Sequence, residues 1–198
     1  MINFENIVED EPYKKLESLY SLAKNKNQTS IQALVVASYS SEDKEVDARF
    51  VNLKTIDHNE FIFFSNYNSP KSLQFESHNQ ISAILFWDSI NVQIRMKAKI
   101  IKTTASYNQK YFIRRSPEKN ALAISSSQSN PINSYEDVKA NYKRSLEFDN
   151  LNECPDFWGG YSFTPYYFEF WEGHSSRLNK RDVFKKNGDN WLHSLIQP

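Results

Sequence analysis

The sequence has little cysteine, no excess of either charge and no long apolar run. Cys154 is the only cysteine among 198 residues, which excludes an internal disulfide and favours a reducing, cytoplasmic location. The 24 basic and 24 acidic residues cancel, whereas general nucleic-acid or membrane-surface binders usually carry a basic excess. Stretches such as 33–37 are too short to span a bilayer, and the acidic N-terminus lacks the apolar region of a signal peptide. We therefore expect one cytoplasmic domain over residues 1–198 that binds neither nucleic acid nor membrane.

Several common cofactor and catalytic motifs are also missing. The sequence contains no GxGxxG, GxxxxGK[ST], CxxC or HExxH. The histidines lack the spacing of metal ligands, so no metal site is predicted; they are His58, His78, His174 and His193. Aromatic residues, in contrast, reach 15% of the chain, while glycine is limited to four residues.

Short strand-like runs joined by turns dominate the chain. They predict about eight strands: 31–39, 46–54, 60–65, 80–87, 92–103, 161–171, 182–186 and 191–196. The Asn187-Gly188 pair between the last two is a strong hairpin signal. Helical patterns occur at 11–24 and within an insertion at 104–148. This order favours a mainly β fold with peripheral helices, built as an antiparallel barrel or closed sheet, over a doubly wound fold.

The stretch 155–181 offers one candidate ligand site. Two glycines follow a bulky pair in Phe157–Gly160, and a strongly aromatic strand comes next. If the segment after that strand is extended, Arg177, Asn179 and Arg181 point to one side, because strand side chains alternate. Two guanidiniums on one face suit a planar anionic ligand. A charged edge strand at the surface is an equally good interpretation of this stretch taken alone.

A second candidate anion site lies at a predicted helix start. Ser69 is a good N-cap, and Pro70 fits the first helical position. Lys71 would then lie beside the free backbone N–H groups of the first turn, a natural place for a phosphate. Taken alone, a solvated lysine in the first helical turn is the commoner interpretation.

Five short motifs in a fixed order carry a family resemblance over nearly the whole chain. They are Arg49–Lys54; Phe64-Ser65-Asn66 with Ser69 and Lys71; Tyr111-Phe112 with Arg115; Gln128-Ser129; and Phe157–Gly160 followed by Glu169-Phe170-Trp171, Arg177-Leu178 and Arg181. With them, the sequence resembles the pyridoxamine 5'-phosphate oxidase family of FMN-binding split-barrel flavoenzymes. Five ordered matches are much harder to obtain by chance than any one of them.

The resemblance implies an FMN-binding split β-barrel, a homodimer in which two subunits build each site, and oxidation of a phosphorylated B6 vitamer. The implied reaction converts pyridoxamine or pyridoxine 5'-phosphate to pyridoxal 5'-phosphate, with O2 reduced to H2O2. The implied FMN contacts are Arg49, Lys54, Phe64, Ser65, Lys71, Gln93, Gln128, Ser129, Trp171 and Arg181. The implied substrate contacts are Lys54, Tyr111, Arg115, Lys119, Arg177 and Asn179. Of these, Arg177 is the implied catalytic residue, lying over the substrate pyridine.

Three positions depart from the family pattern. Pro70 stands where an Arg contacts the FMN phosphate, Lys119 replaces a Ser at the substrate phosphate, and Asn179 replaces a His beside the catalytic Arg. These changes keep two alternatives open: a related split-barrel flavoenzyme with another substrate, as in phenazine biosynthesis, or a non-catalytic protein that binds FMN or pyridoxal phosphate. Retention of the other cationic substrate contacts favours the oxidase, because a substrate without phosphate would not need them.

Overall fold

The computed structural model describes residues 1–198, which form ten strands and five helices. The strands are β1 (Asn3–Glu5), β2 (Ala33–Ser40), β3 (Glu45–Asn52), β4 (Thr55–Asp57), β5 (Glu60–Asn66), β6 (Gln80–Trp87), β7 (Val92–Lys102), β8 (Trp158–Glu172), β9 (Lys180–Asn187) and β10 (Asn190–Leu195). The helices are α1 (Glu11–Asn25), α2 (Pro70–Ser77), α3 (Ala105–Phe112), α4 (Pro117–Ser125) and α5 (Tyr135–Phe148). The sequence patterns missed β1 and β4, because three residues are too few to show a period.

All ten strands belong to one sheet, in the order β1-β4-β5-β8-β7-β6-β2-β3, with β9 paired to β8 and β10 paired to β9. Every pairing is antiparallel except that of β1 with β4. Strand β8 is shared between two sheet segments: its first half, 158–163, pairs with β5, and its second half, 167–172, pairs with β9. The mainly β architecture with peripheral helices confirms the fold class predicted from the sequence.

A β-bulge separates the two halves of β8. Lys97 of β7 is opposite Tyr167, whereas the next residue, Ala98, is opposite Pro165, so Tyr166 has no partner. The extra residue changes which side chains face the core. Before the bulge the core contains Tyr161 and Phe163; after it, the core contains Phe168 and Phe170. Residues 167, 169 and 171 consequently lie on the opposite face of the sheet.

The core is a continuous cluster of 27 buried residues, and many of them are aromatic. Helix α1 buries Tyr13, Leu16, Tyr20 and Ala23, the stripe expected from its helical spacing. The Tyr13 ring lies edge-on to Phe168 at a centroid distance of 5.2 Å, which joins the helix to β8. Burying side chains of this size contributes roughly 1.5–3 kcal/mol each. None of the five helices combines the length and the apolar character that crossing a bilayer would require.

The two glycines at the start of β8 allow close contact with β5, β7 and α3. A Cβ on Gly159 would lie under 3.0 Å from the side chains of Tyr67 and Asn108, and one on Gly160 would lie 2.6 Å from Thr103 Oγ1. The space is used for polar contacts instead: the Gly160 N–H donates to Asn108 Oδ1 at 2.9 Å. The glycine pair therefore fixes α3 against the sheet.

Local signals set several element ends, including the predicted start of α2 and the predicted last hairpin. Ser69 is the N-cap residue of α2 and Pro70 the first helical residue, although the Ser69 hydroxyl does not cap; it donates to the Asn66 carbonyl at 2.8 Å. The hydroxyls of Thr104 and Ser134 do cap α3 and α5. Strands β9 and β10 form the expected hairpin, with Gly188 at φ 58° in its turn.

Candidate active site

A cavity of ≈ 820 Å³ opens where β3, β5, α2, the α3–α4 region and the loop after α4 meet. Its volume lies within the range of small-molecule sites, about 300–1,000 Å³. Six cationic side chains line it, namely Arg49, Lys54, Lys71, Arg114, Arg115 and Lys119, against one carboxylate, Asp47. The excess of positive charge suits an anionic ligand.

Arg49 is held by β2, β3 and α2. Its Nη1 donates to Ser38 Oγ at 2.6 Å and to the Val36 carbonyl at 3.3 Å, because Val36 and Arg49 are opposite each other on β2 and β3. Its Nη2 donates to Gln74 Oε1 of α2 at 3.1 Å and pairs with Asp47. The guanidinium therefore has a fixed position at the edge of the cavity.

Lys71, in the first turn of α2, is a buried ammonium with only neutral hydrogen-bond partners. It is 8% exposed, and its Nζ lies 2.9 Å from Ser69 Oγ and 3.3 Å from Gln128 Oε1. Burial, together with the charge of Arg49, lowers the pKa of Lys71 to about 8, although Asp47 acts in the opposite direction. A buried cation without an anionic partner is costly, so a bound anion would stabilise it.

The loop after α4 folds onto the end of β5 through Gln128. Its Oε1 accepts hydrogen bonds from Ser65 Oγ at 3.3 Å, from the Asn66 N–H at 3.4 Å and from Lys71 Nζ at 3.3 Å. The next residue, Ser129, has a φ of 71°. Three predicted cofactor contacts, Ser65, Lys71 and Gln128, are thus joined by direct hydrogen bonds.

Stacked aromatic rings form one wall of the cavity. Phe64 of β5 stacks on Tyr111 of α3 at a centroid distance of 3.7 Å and on Trp158 at 5.1 Å. Gly160 is opposite Phe64 in the sheet, and its missing side chain leaves room for the ring. The wall is flat and apolar, which suits a planar heterocycle.

A second group of cations faces this wall. Burial, followed by the charges of Lys119 and Arg115, lowers the pKa of Lys54. Burial also lowers the pKa of Arg115, whose Nη2 donates to the Lys119 carbonyl at 2.8 Å. Its Nη1 is buried without a hydrogen-bond partner. An unused buried donor among repelling cations fits a site for phosphate.

Five of the predicted site residues do not line this cavity: Gln93, Trp171, Arg177, Asn179 and Arg181. Three of them form a row across neighbouring strands, since Gln93 of β7 is opposite Trp171 of β8, which is opposite Arg181 of β9. Within one chain, the candidate residues therefore form two separate groups.

The prediction that residues 177–181 are extended, with Arg177, Asn179 and Arg181 on one side, is wrong in its first part. Arg177 has a φ of 60°, and its N–H donates to the His174 carbonyl at 2.9 Å in a turn. Asn179 accepts from the His174 N–H at 3.0 Å, and β9 begins only at Lys180. The reason is local: a polar side chain that bonds the backbone stabilises a turn in place of the extended form.

Seven residues that line the cavity were not predicted as site residues: Asp47, Phe50, Val51, Asn52, Arg114, Ser116 and Trp158. Trp158 lies within the Phe157–Gly160 motif that carries the family resemblance, but no ligand contact was assigned to its side chain. Arg114 directly precedes Arg115 at the end of α3 and could have been found as a second cation. The alternation of β3 could have revealed Asp47, because residues two apart in a strand share a face with Arg49.

Comparison with known proteins adds two findings on sequence. A family model described as the pyridoxine 5'-phosphate oxidase C-terminal dimerisation region matches residues 158–198, which contain β8, β9 and β10. The pyridoxine/pyridoxamine 5'-phosphate oxidase 1 of Hydrogenovibrio crunogenus is 30% identical over 195 residues, covering 96% of this chain and 90% of the relative.

Two solved structures share the fold. PhzG from Burkholderia lata 383, in complex with tetrahydrophenazine-1-carboxylic acid, matches with a TM-score of 0.90 at 25% identity, covering 96% of this chain and 93% of PhzG. A pyridoxamine 5'-phosphate oxidase-related, FMN binding protein from Nostoc punctiforme PCC 73102 matches with a TM-score of 0.78 at 13% identity, covering 96% of this chain and 100% of that protein. The ten-stranded sheet is therefore a split barrel.

Proposed function

This chain belongs to the pyridoxine/pyridoxamine 5'-phosphate oxidase family, and we propose that it is an FMN-dependent oxidase of pyridoxamine 5'-phosphate or pyridoxine 5'-phosphate. The products would be pyridoxal 5'-phosphate and, from O2, H2O2; with the amine substrate, water would hydrolyse the oxidised imine and release ammonia. The observation that carries the proposal is the cavity in which six cations face one carboxylate beside stacked aromatic rings. FMN and substrate each bring a phosphate with about 1.5–2 negative charges at neutral pH, which would use this excess.

The residues present fit FMN. The Lys71 ammonium is buried among neutral acceptors and has a lowered pKa, so a phosphate would supply its missing negative partner. The start of α2 at Pro70 adds the positive end of a helix at the same place. The aromatic wall of Phe64, Tyr111 and Trp158 and the amide of Gln128 would provide an apolar surface and a polar group for the flavin. When bound, FMN supplies the two-electron redox chemistry and its reoxidation by O2.

The protein side chains bind and orient in this proposal. Arg49 and Lys71 neutralise the FMN phosphate, with Phe64, Ser65, Gln128 and Ser129 around the rest of the cofactor. Lys54, Tyr111, Arg115 and Lys119 would hold the substrate phosphate and so orient the substrate. Arg177 does not line the cavity of its own chain; brought there by the second subunit, it would stabilise the electron density that shifts in the substrate ring during oxidation. No residue has to act as a strong base.

We further propose a homodimer in which each site is completed by the second subunit. The description of the family model over 158–198 as a dimerisation region supports the dimer. The separation of the Gln93–Trp171–Arg181 row from the cavity supports the shared site, because these residues can serve the same FMN only if another copy brings them there. A twofold interface would form two equal sites.

The three departures are compatible with this function. Pro70 cannot contact the phosphate as an arginine would, but it fixes the first turn of α2 beside Lys71. Lys119 lies close enough to affect the pKa of Lys54, so it can serve the same phosphate. Asn179 keeps a polar side chain next to Arg177, although it cannot carry a proton as histidine can.

The direct test uses the FMN-loaded protein with pyridoxamine 5'-phosphate in air, following both pyridoxal 5'-phosphate and H2O2. Pyridoxamine without its phosphate is the matched control. We expect equal amounts of the two products and much slower turnover of the control. Protein that gains no flavin absorbance after incubation with FMN and gel filtration would rule out the proposal. Binding of FMN without turnover would support the non-catalytic alternative.

A second candidate is a flavoenzyme that acts on another substrate. The TM-score of 0.90 with PhzG and the presence of Lys119 favour this candidate. The same assay with tetrahydrophenazine-1-carboxylic acid separates the two. Oxidation of this compound, with no turnover of phosphorylated B6 vitamers, would identify the second candidate as correct.

A further inference from the structure

Glu169 is a buried carboxylate at the centre of a hydrogen-bond network on the outer face of β8. It is 2% exposed. Its Oε1 accepts from Arg181 Nε at 3.0 Å and from Arg181 Nη2 at 2.6 Å. Its Oε2 accepts from the Tyr167 hydroxyl at 2.8 Å and pairs with Arg95 of β7. Both carboxylate oxygens are thus fully used by neighbouring donors.

The network keeps Glu169 charged despite its burial. Burial alone would raise the pKa of Glu169, but hydrogen bonds from Arg181 and Tyr167 and the charges of Arg95 and Arg181 lower it overall. Buried ion pairs of this kind give little net stability, because desolvation offsets most of the attraction. Their clearer effect is geometric, since a carboxylate bonded to two nitrogens of one guanidinium fixes the plane of that group.

Arg181 is held at three of its nitrogens. Nε and Nη2 bond to Glu169, and Nη1 donates to the Gln197 carbonyl at 2.9 Å. A guanidinium has five N–H donors, so two remain for another acceptor. Trp171, which is opposite Arg181 in the sheet, lies on the same outer face as Glu169.

We infer that Glu169 is a positioning residue that holds Arg181 in the orientation in which its two remaining donors bind FMN. This inference rests on the proposed function, because it assigns Arg181 to the flavin. A purely electrostatic role and a positioning role of Glu169 predict opposite changes in FMN affinity when its charge is removed. Removing a negative charge near an anionic ligand strengthens binding if only charge matters. It weakens binding if the carboxylate acts by orienting Arg181.

The test measures the Kd of FMN for the FMN-free full-length chain and its variants, by quenching of flavin fluorescence. Glu169→Gln preserves size and removes the charge; Arg181→Lys preserves the charge and removes the planar fork. We expect each change to weaken FMN binding about tenfold, as for the loss of one charge-assisted hydrogen bond. The double variant should be little weaker than either single one, because both remove the same oriented group.

Glu172→Gln is the matched control. Glu172 is another β8 carboxylate that pairs with cations, but with Lys15 and Lys180 in place of Arg181. The Kd of FMN for Glu172→Gln should remain within about twofold of the wild-type value. An unchanged or tighter Kd for Glu169→Gln, while Arg181→Lys binds more weakly, would overturn the inference and leave the proposed function intact. Additive losses in the double variant would overturn it too.

Two further outcomes are decisive. A wild-type chain that binds no FMN would overturn both this inference and the proposed function. Thermal unfolding and far-UV circular dichroism identify a variant that does not fold. If Glu169→Gln is unfolded, Glu169→Asp replaces it, since it keeps the charge and withdraws the carboxylate by one methylene. Several-fold weaker FMN binding is then expected, and an unchanged Kd would contradict positioning by Glu169.

Discussion

The guanidinium of Arg115 lies 4.3 Å from the ring centroid of Trp158. It also lies 5.5 Å from the Phe112 ring, and the Arg115 Nη1 is buried without a partner. Aromatic faces attract a cation without neutralising it, so Arg115 is held in place while its charge stays available to a ligand. In the proposed function this ligand is the substrate phosphate.

Arg115→Ala should lower kcat/KM for pyridoxamine 5'-phosphate about tenfold to a hundredfold, since a charge-assisted hydrogen bond contributes roughly 1.5–3 kcal/mol. Steady-state kinetics with phosphorylated and unphosphorylated pyridoxamine measure the effect. Arg114→Ala is the control, because Arg114 lines the same cavity but is exposed. An equal decrease in kcat/KM with both substrates would show that Arg115 does not bind the substrate phosphate.

Trp158→Leu should raise KM for pyridoxamine 5'-phosphate about twofold to thirtyfold, the range expected for loss of a cation–π contact of about 0.5–2 kcal/mol. Trp158→Phe keeps a ring under Arg115 and should have the smaller effect. The measurement is KM for the phosphorylated substrate at saturating FMN. Equal values for the two variants would show that the ring does not hold Arg115.

Arg177→Ala should reduce kcat by at least about tenfold while the Kd of FMN changes by less than about twofold, because the proposed cofactor contacts lie elsewhere. Arg177→Lys is the control that keeps a cation at this turn. Rapid-reaction measurement of flavin reduction separates the chemical step from product release. An unchanged reduction rate in Arg177→Ala would mean that this residue does not face the substrate.

Asn179→His should raise kcat/KM about fivefold, which corresponds to about 1 kcal/mol of transition-state stabilisation. The imidazole can replace the amide oxygen as acceptor for the His174 N–H and also carry a proton. Asn179→Gln, which offers an amide on a longer side chain, is the control. If wild type and Asn179→His are both inert with B6 vitamers, the alternative functions become the better interpretation.

FMN affinity should fall as the pH rises above 8. The pKa of Lys71 is about 8 in the FMN-free protein, below its ordinary value of 10.5, so the ammonium loses its proton near this pH. Because the FMN phosphate binds the protonated form of Lys71, the observed FMN affinity then falls by up to about tenfold per pH unit. The effect of pH on folding stability has the opposite direction. Between pH 8 and 10.5 the unfolded chain holds more protons at Lys71 than the folded chain does, so the contribution of Lys71 to the free energy of unfolding of the FMN-free protein increases as the pH rises.

The measurement is the Kd of FMN at pH 7, 8 and 9 for wild type and for Lys71→Met, which has a similar length but no charge. The variant should bind FMN more weakly at pH 7 and show little further change up to pH 9. The same slope in both proteins would assign the pH dependence to another group.

Most of the fold follows from local patterns in the sequence. The hairpin of β9 and β10, the start of α2 at Pro70 and the caps Thr104 and Ser134 depend on a few neighbouring residues, so they could be predicted. The parallel pairing of β1 with β4 could not, because it joins short segments about 50 residues apart by register alone.

The candidate site was predictable in its residue types and less so in its arrangement. The resemblance pointed to the cluster of Lys71, Gln128 and Ser65, which are in contact in the structure. The turn at Arg177 was missed because a non-glycine residue rarely takes a positive φ. The contacts of Glu169 depend on three adjacent strands, and no spacing in the sequence reveals them.

The unpaired Tyr166 marks the point in β8 where one residue could be lost without moving any other side chain to the opposite face. Upstream of it, odd-numbered residues such as Phe163 fill the core, whereas downstream it is even-numbered residues such as Phe168. Deletion of Tyr166 would make Pro165 and Tyr167 neighbours opposite Ala98 and Lys97, so the strand would lose its bulge while Glu169 and Trp171 stay on the outer face. Among natural relatives, one-residue differences in the length of this strand should therefore occur at the bulge more often than elsewhere in β8.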